Sequence, residues 1–458
     1  MIEAGWSDPA YAAIAHVVRA RTGLHFTSTS QARAEAGIDR AMTRAGCTDP
    51  ASYGALLEHK GSALDDLIVE LAVGETYFFR EARQFEVVRR QVLPEVRRRR
   101  GPGHVIRVWS AGCASGEETY SLAIVLLELG YAERARVLGT DISRLALAKA
   151  RAGTYGPWSL RGDGALRARP YLRSAGDGFV VDDAPRRHLR FEHLNLALDT
   201  YPSYASGIWA MDLILCRNVL IYFDRETVGR VARRLFDALA PGGWLVTGPS
   251  DPSLVDAAPF EAVATEAGVL YRRAPAPAEP VLVAPAPPLP RADPAWDPRH
   301  ARAAGPDEVV APARRARPRG ADAAASALHV RALANLDPST AERACAEASA
   351  HHPLSAELHY LRALLLLDLG RDAEAAEAAR RVLYLDGSLA AAYLTLGTIL
   401  RRLGDREGAR RAYRNARALC AARSPDEVVA LTDGERAVRL FEAADVQMAL
   451  LDAPGSVA

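Results

Sequence analysis

The chain has 458 residues, 57 Lys+Arg against 56 Asp+Glu, and a formal charge of +1. Nothing in this balance suggests nucleic acid, whose phosphates need clustered, uncompensated basic residues, and the length calls for two or three domains. Cys47, Cys113, Cys216, Cys345 and Cys420 are dispersed without C-x-x-C spacing, which argues against a disulfide framework or a zinc site. No signal pattern opens the chain and no apolar run approaches the roughly 20 residues that cross a bilayer, so a cytoplasmic protein without membrane insertion is expected.

In chain order, residues 1–100 read as an N-terminal all-α domain with a connecting helix. Stretches 11–21, 32–45, 53–59 and 63–72 carry apolar residues three or four apart, punctuated by Gly23, Gly46 and Gly61. Arg33, Arg40 and Arg44 line one face of the second stretch, diluted by Glu35 and Asp39. The face reads either as substrate-docking or as plain surface. The run Arg97 to Arg100 reads as a solvated helix end. Between these, Thr76-Tyr77-Phe78-Phe79-Arg80 places three successive aromatics in a chain of only 7% aromatic content, which singles the segment out. It is expected to pack a domain junction, with Thr76 and Arg80, four apart on a helix, reaching a ligand.

Residues 101–273 alternate strands and helices. Val105, Ile106, Val108 and Trp109 suit a buried parallel strand. The small residues from Ala111 to Gly116 let a ligand approach the backbone, and Glu117 and Glu118 open a helix at its positive end. The second strand, 135–141, ends in Asp141, placed to accept hydrogen bonds from ribose hydroxyls, and Ser143 caps the next helix. Stretch 153–187 breaks the alternation with Gly, Pro and Arg and reads as a strand-containing insertion. The sheet then resumes with strands over 189–195 and 211–218, a helix over 224–240, a Pro241-Gly242-Gly243 turn and a strand over 244–248. An antiparallel pair over 260–263 and 268–273 closes it. The expected architecture is α/β, a doubly wound sheet flanked by helical domains.

Residues 274–320 turn to Ala, Pro and Arg and read as a disordered linker. From 321 to 458 helical patterning returns with a period of 34: Ala363 and Gly397, Gly370 and Gly404, Ala375 and Ala409, Ala378 and Ala412. That is the tetratricopeptide period, with a degenerate first unit over 324–350 and a capping helix over 426–451; the alternative is a generic helical bundle.

A dinucleotide would require G-x-G-x-x-G after the first strand, and a hydrolase G-x-S-x-G; the turn from Gly112 to Gly116 offers neither. A small-residue turn between acids suits a cationic nucleoside without phosphates, and S-adenosylmethionine has that character. TYFFRE (76–81), VWSAGCASGEETYS (108–121), GTDIS (139–143), Asn195-Leu196, DLILCRNVLIYFD (212–224) and the PGG turn together resemble the CheR family of chemotaxis receptor glutamate methyltransferases over roughly residues 10–273. Fusion to tetratricopeptide repeats also occurs in that family. The resemblance implies a helical domain over an S-adenosylmethionine-dependent methyltransferase sheet with a small inserted β-subdomain. It implies cofactor contacts from Thr76, Arg80, Glu117, Asp141, Asn195, Leu196, Arg217 and Asn218, with Arg80 and Tyr222 aligning the reacting groups. Three positions depart from the family pattern: Gly74 for an asparagine, Thr119 for a proline, and Ser250-Asp251 for Ser-Glu.

The expected reaction moves the sulfonium methyl to a glutamate carboxylate of a methyl-accepting chemoreceptor, giving a γ-methyl ester. An ionised carboxylate is already a nucleophile, in keeping with the lack of histidine in these blocks. Rate should then come from alignment, an effect of about 7–11 kcal/mol in well-oriented systems. Neutralisation of sulfonium and carboxylate in the transition state favours a dry pocket. The competing readings are an S-adenosylmethionine-sensing scaffold that recruits a partner through its repeats, and methylation of a small carboxylic acid. The repeats and the insertion favour a protein or peptide partner over the latter.

Overall fold

The structure, a computed structural model, describes residues 6–452 except 60, 73, 200, 205, 276–318, 335–337 and 433. The expected linker over 274–320 falls almost entirely outside the described residues.

Four helices open the chain: α1 (Pro9–Thr22), α2 (Gln31–Ala45), α3 (Pro50–His59) and α4 (Gly61–Leu71). Asp8 caps α1 by accepting from Ala10 N at 2.7 Å, and Pro9 stands where a first-turn N–H would have no intrahelical partner. Their apolar faces meet around Ile14, Val18, Ile38, Tyr53, Leu57 and Leu67, all buried. The connector is one helical rod, α5 (Ala82–Val87) and α6 (Leu93–Arg100), joined by a π turn at Val88–Val92.

Segment 74–81 differs from expectation: it is extended and turning, not helical, with Phe79 and Glu81 at φ 56° and 59°. Burial explains the difference. Phe78 packs edge-on against Tyr155 and Phe79 against Phe85, at 5.1 and 5.2 Å between ring centres, and the left-handed residues turn both rings into the core. The basic run also departs from a fully solvated helix end: Arg99 pairs with Glu95 at 2.7 Å, and Arg100, half-buried, donates to Pro241 O at 3.0 Å.

Strand β1 (Ile106–Ala111) runs into α7 (Glu117–Glu128), β2 (Ala135–Asp141) and α8 (Arg144–Ala152). The insertion is a three-stranded antiparallel sheet in the order β3 (Thr154–Tyr155), β5 (Gly178–Val181), β4 (Leu172–Ala175), with short helices α9 (Ala165–Ala168) and α10 (Asp183–Arg186). The main sheet continues with β6 (Leu189–His193), β7 (Met211–Cys216), α11 (Arg225–Ala238), β8 (Leu239–Thr247), β9 (Phe260–Thr265) and β10 (Gly268–Arg273). Its seven strands lie in the order β6-β2-β1-β7-β8-β10-β9, parallel except where β10 meets β8 and β9. β1 is buried along its whole length because both faces are covered. Ile106 and Val108 face one core with Phe78 and Tyr120, while Trp109 and Ala111 face the other with Ile214 and Leu235.

Pro241-Gly242-Gly243 is not a turn ahead of β8 but part of it. Met211 pairs with Leu239 and Leu213 with Trp244, so the extra residues are taken up as an irregularity in one strand rather than ending it. C-terminally come α12 (Arg319–Ala334), α13 (Pro338–His351), α14 (Ala356–Asp368), α15 (Asp372–Leu385), α16 (Ala390–Arg402), α17 (Arg406–Ala421) and α18 (Ala437–Asp452). α14 and α16 begin at Ala356 and Ala390, and α15 and α17 at Asp372 and Arg406, each one 34-residue period apart. Among the described residues no helix is long and apolar enough to cross a membrane.

Candidate active site

A cavity of about 560 Å³ opens at the C-terminal ends of β1, β2 and β7, where the strand order reverses on either side of β1. This is where doubly wound sheets bind ligands, since the connections on either side diverge and leave a crevice. Gly112, Ala114 and Ser115 form its floor, Asp141, Ile142 and Ser143 one wall, and Leu194, Asn195 and Leu196 a second. Asn218, Val219, Tyr222 and Phe223 form a third, and Thr22, Leu24, Val69, Ala72 and Gly74 of the helical domain close the top.

The floor depends on Gly112, whose φ is 78° and whose absent Cβ would lie 2.3 Å from Val219 Cγ2. Any side chain there would strain the backbone and push out the Val219 wall. Asp141 ends β2; its two carboxylate oxygens accept from Ala114 N and Ser143 N, each at 2.8 Å. These bonds lock the carboxylate to both the β1 turn and the α8 cap while leaving lone pairs toward the cavity. Burial pushes its carboxyl above the usual range, and the N–H donors of Ser143 and Ala114 oppose that shift.

Asn195 lines the cavity, but its side-chain polar atoms are already engaged. Oδ1 accepts from Ala197 N at 2.9 Å and Nδ2 donates to Arg21 O at 3.1 Å, so the residue shapes the turn before Leu196 and ties it to α1. The helical domain is fastened to the opposite wall by His25 N donating to Tyr222 O at 2.9 Å and by Arg19 pairing with Asp224 at 2.7 Å.

Asn218 sits in left-handed backbone at φ 58°. The turn is held by Asp251, whose carboxylate accepts from Asn218 N at 2.6 Å, Gly248 N at 2.8 Å, Val219 N at 3.1 Å and Ile221 N at 3.3 Å. Sequence reading noticed Asp251 only as a departure from Ser-Glu and attached no role to it. It also missed the roof residues Thr22, Leu24, Val69 and Ala72, for which the only sequence signal was the glycine ending α1.

Glu117, Arg217, Thr76 and Arg80 lie outside the cavity lining. Glu117 is buried at the start of α7, accepting from Ser115 Oγ and Ser159 Oγ, each at 2.8 Å, and so joins the floor to the insertion. Arg217 is buried against the Phe85 ring; it donates to Glu118 at 3.0 Å and to the Arg80 carbonyl at 2.6 Å. It thereby anchors the 74–81 segment from below. Thr76 is half-buried on that segment, and Arg80 donates to Glu75 O at 2.5 Å. The Tyr222 phenol is pushed up by burial, with the positive charges of Arg33 and Arg80 opposing the shift. Tyr222 itself lines the cavity.

The donor set fits S-adenosylmethionine. Among the described lining residues only Asp141 and Lys149 are charged, so a pyrophosphate would find a single cation and no glycine cradle. A buried acid at the end of β2 suits the ribose diol, and the apolar Ile142, Leu145 and Leu196 suit adenine. The volume lies within the range of small-molecule sites. When bound, this cofactor supplies a methyl group on a sulfonium.

Sheet order and cavity together define an S-adenosylmethionine-dependent methyltransferase. Residues 74–269 match the family described as CheR methyltransferase, SAM binding domain. The chain is 32% identical over 261 residues to chemotaxis protein methyltransferase 1 of Pseudomonas aeruginosa, covering 55% of this chain and 92% of that protein. It is 29% identical over 428 residues to the probable biofilm formation methyltransferase WspC of Pseudomonas aeruginosa, covering 87% and 96%. To WspC of Pseudomonas putida it is 30% identical over 413 residues, again 87% and 96%. The chain belongs to the CheR family, the protein-glutamate O-methyltransferases of chemosensory signalling.

Proposed function

We propose that this enzyme acts in the cytoplasm on glutamate side chains of methyl-accepting chemoreceptors, with the cofactor held by the cavity above β1, β2 and β7. Asp141 takes the ribose, and Asn195, Leu196 and Asn218 shape the remaining wall. Glu117 and Arg217 support the site from beneath, and Thr76 lies on the segment that carries Arg80. Arg80 and Tyr222 hold the acceptor carboxylate in line with the methyl group. The observation that carries this reading is the cavity itself, with Asp141 fixed at the end of β2 and Tyr222 on the wall formed by the β7 turn. The guanidinium groups of Arg80 and Arg33 suit a carboxylate acceptor. With Arg40 and Arg44 already paired to Glu70 at 2.6 and 2.7 Å, Arg33 is the α2 arginine proposed to meet substrate.

The division proposed is a helical domain over 1–100, a methyltransferase domain over 101–273 and tetratricopeptide-like repeats over 321–458, joined by a linker over 274–320. The repeats take a protein or peptide partner, and the balanced charge supports protein rather than nucleic acid as substrate. Incubation with methyl-labelled S-adenosylmethionine and receptor-containing membranes tests the proposal. Base-labile label on receptor protein is expected. Cofactor binding with no label transferred would instead favour a sensing scaffold.

A further inference from the structure

We propose that the C-terminal repeats clamp the enzyme's own β6–β7 connection at Pro202, Trp209 and Ala210, and that this clamp fixes the Asn195–Leu196 wall of the cofactor cavity. α14, α16 and α18 form one layer of the repeat stack, and their side chains converge on that connection. Gln447 Nε2 of α18 donates to Pro202 O at 2.9 Å, and Arg401 of α16 donates to the same carbonyl at 3.3 Å. Arg439 donates to Ala210 O at 2.7 Å. These three donors read backbone carbonyls, which is how a peptide is held irrespective of its side chains.

Trp209 supplies the anchor. It is 3% exposed and belongs to the hydrophobic core of the repeats, with Tyr204 tilted against it at 5.2 Å. Arg107 of β1 stacks on its ring at 4.4 Å, donates to Gly207 O at 2.7 Å and makes a buried ion pair with Glu435. An aromatic ring under two cations, Arg107 and Arg439, in a desolvated seat is the composition of an interface hot spot.

The clamped segment leads directly to the cavity. Tyr201 packs on Trp109 at 5.5 Å and its hydroxyl donates to Leu196 O at 3.0 Å, while Arg234 donates to Ala197 O and Asp199 O, each at 3.1 Å. Five residues thus separate a repeat-held proline from a cavity-lining leucine, with hydrogen bonds spanning the interval.

The test uses the full chain carrying Arg439→Met and Gln447→Leu, compared with Arg439→Lys, which keeps a donor. Hydrogen–deuterium exchange over residues 196–210 should accelerate at least tenfold in the double variant and stay near wild type in Arg439→Lys, with exchange in β1 and β7 unchanged. S-adenosylhomocysteine should bind the double variant several-fold more weakly. Unchanged exchange over 196–210 overturns the clamp; accelerated exchange with unchanged affinity overturns its coupling to the cavity. The exchange readout does not depend on the cavity being the cofactor site, so a wild-type chain that fails to bind S-adenosylhomocysteine refutes that separate reading. Should the double variant lose helix content, native-state exchange of the wild-type chain in rising urea decides. Residues 201–210 and α18 should open in one cooperative step, and independent opening overturns the proposal.

Discussion

Replacing Asp251 with alanine removes the carboxylate that four backbone N–H groups converge upon. The two shorter bonds, to Asn218 N and Gly248 N at 2.6 and 2.8 Å, account for most of its effect. Hydrogen bonds to a charged acceptor contribute about 1.5–3 kcal/mol each. Because Asp251 is half-buried, water replaces part of the loss, and the expected drop in unfolding free energy is about 3 kcal/mol. A second effect falls on the ligand. Left-handed backbone costs about 1 kcal/mol at an asparagine, which tolerates it better than most residues, and Asp251 offsets that cost at Asn218. Without the carboxylate the turn relaxes, and cofactor binding has to restore it, which corresponds to affinity about fivefold weaker. Titration calorimetry with S-adenosylhomocysteine and urea denaturation measure the two effects. Asp251→Asn, retaining one acceptor oxygen, should fall between wild type and alanine. Affinity within twofold of wild type in Asp251→Ala would refute the reasoning.

Burial holds the Tyr222 phenol above its ordinary value of about 10, so it stays protonated and its contribution to kcat should be flat from about pH 6 to 9. An alkaline fall in that window that disappears in Tyr222→Phe would contradict this. Arg217→Met strips the buried partner from Glu118 and the donor from the Arg80 carbonyl, and should destabilise the fold by about 3–5 kcal/mol. In a double-mutant cycle with Glu118→Met, measured by denaturation, the losses should be clearly less than additive; simple additivity would show that the pair does not act as a unit. Gly397→Ala runs against helix propensity. Alanine is intrinsically better by about 1 kcal/mol, yet its Cβ would lie 2.4 Å from Tyr413 Cε1, and overpacking costs about 1–3 kcal/mol. A melting temperature at or above wild type would mean that Tyr413 repacks freely.

Strand β1, the acid ending β2 and the 34-residue period were legible because each is a local pattern: apolar alternation, a polar residue after an apolar run, and small residues at fixed spacing. Segment 74–81 was legible as unusual but not in shape, since the choice between helix and turn was decided by Phe78 and Phe79 seeking partners from the insertion and α5. The three residues Pro241-Gly242-Gly243 carry strong turn chemistry, and parallel pairing with β7 overrode it. Within the site, motif reading brings Glu117 and Arg217 forward together with Asp141, although one group is buried beneath the floor and the other lines it. Burial direction is not written in a motif. The roof from α1 and α4 and the Asp251 bracket join residues far apart in sequence, and no local signal marks such contacts. The docking of the repeats through Trp209 was invisible for the same reason.

In the proposed mechanism, residues outside the cofactor turn decide the fate of the methyl group, with Arg80 foremost among them. Single-turnover transfer from labelled S-adenosylmethionine to receptor glutamate, in wild type and Arg80→Ala, measures it most directly when cofactor affinity is recorded in parallel. Loss of a group that only aligns the reactants should slow transfer about 100-fold or more while cofactor affinity stays within threefold. Transfer at the wild-type rate with affinity unchanged would rule out an aligning role for Arg80.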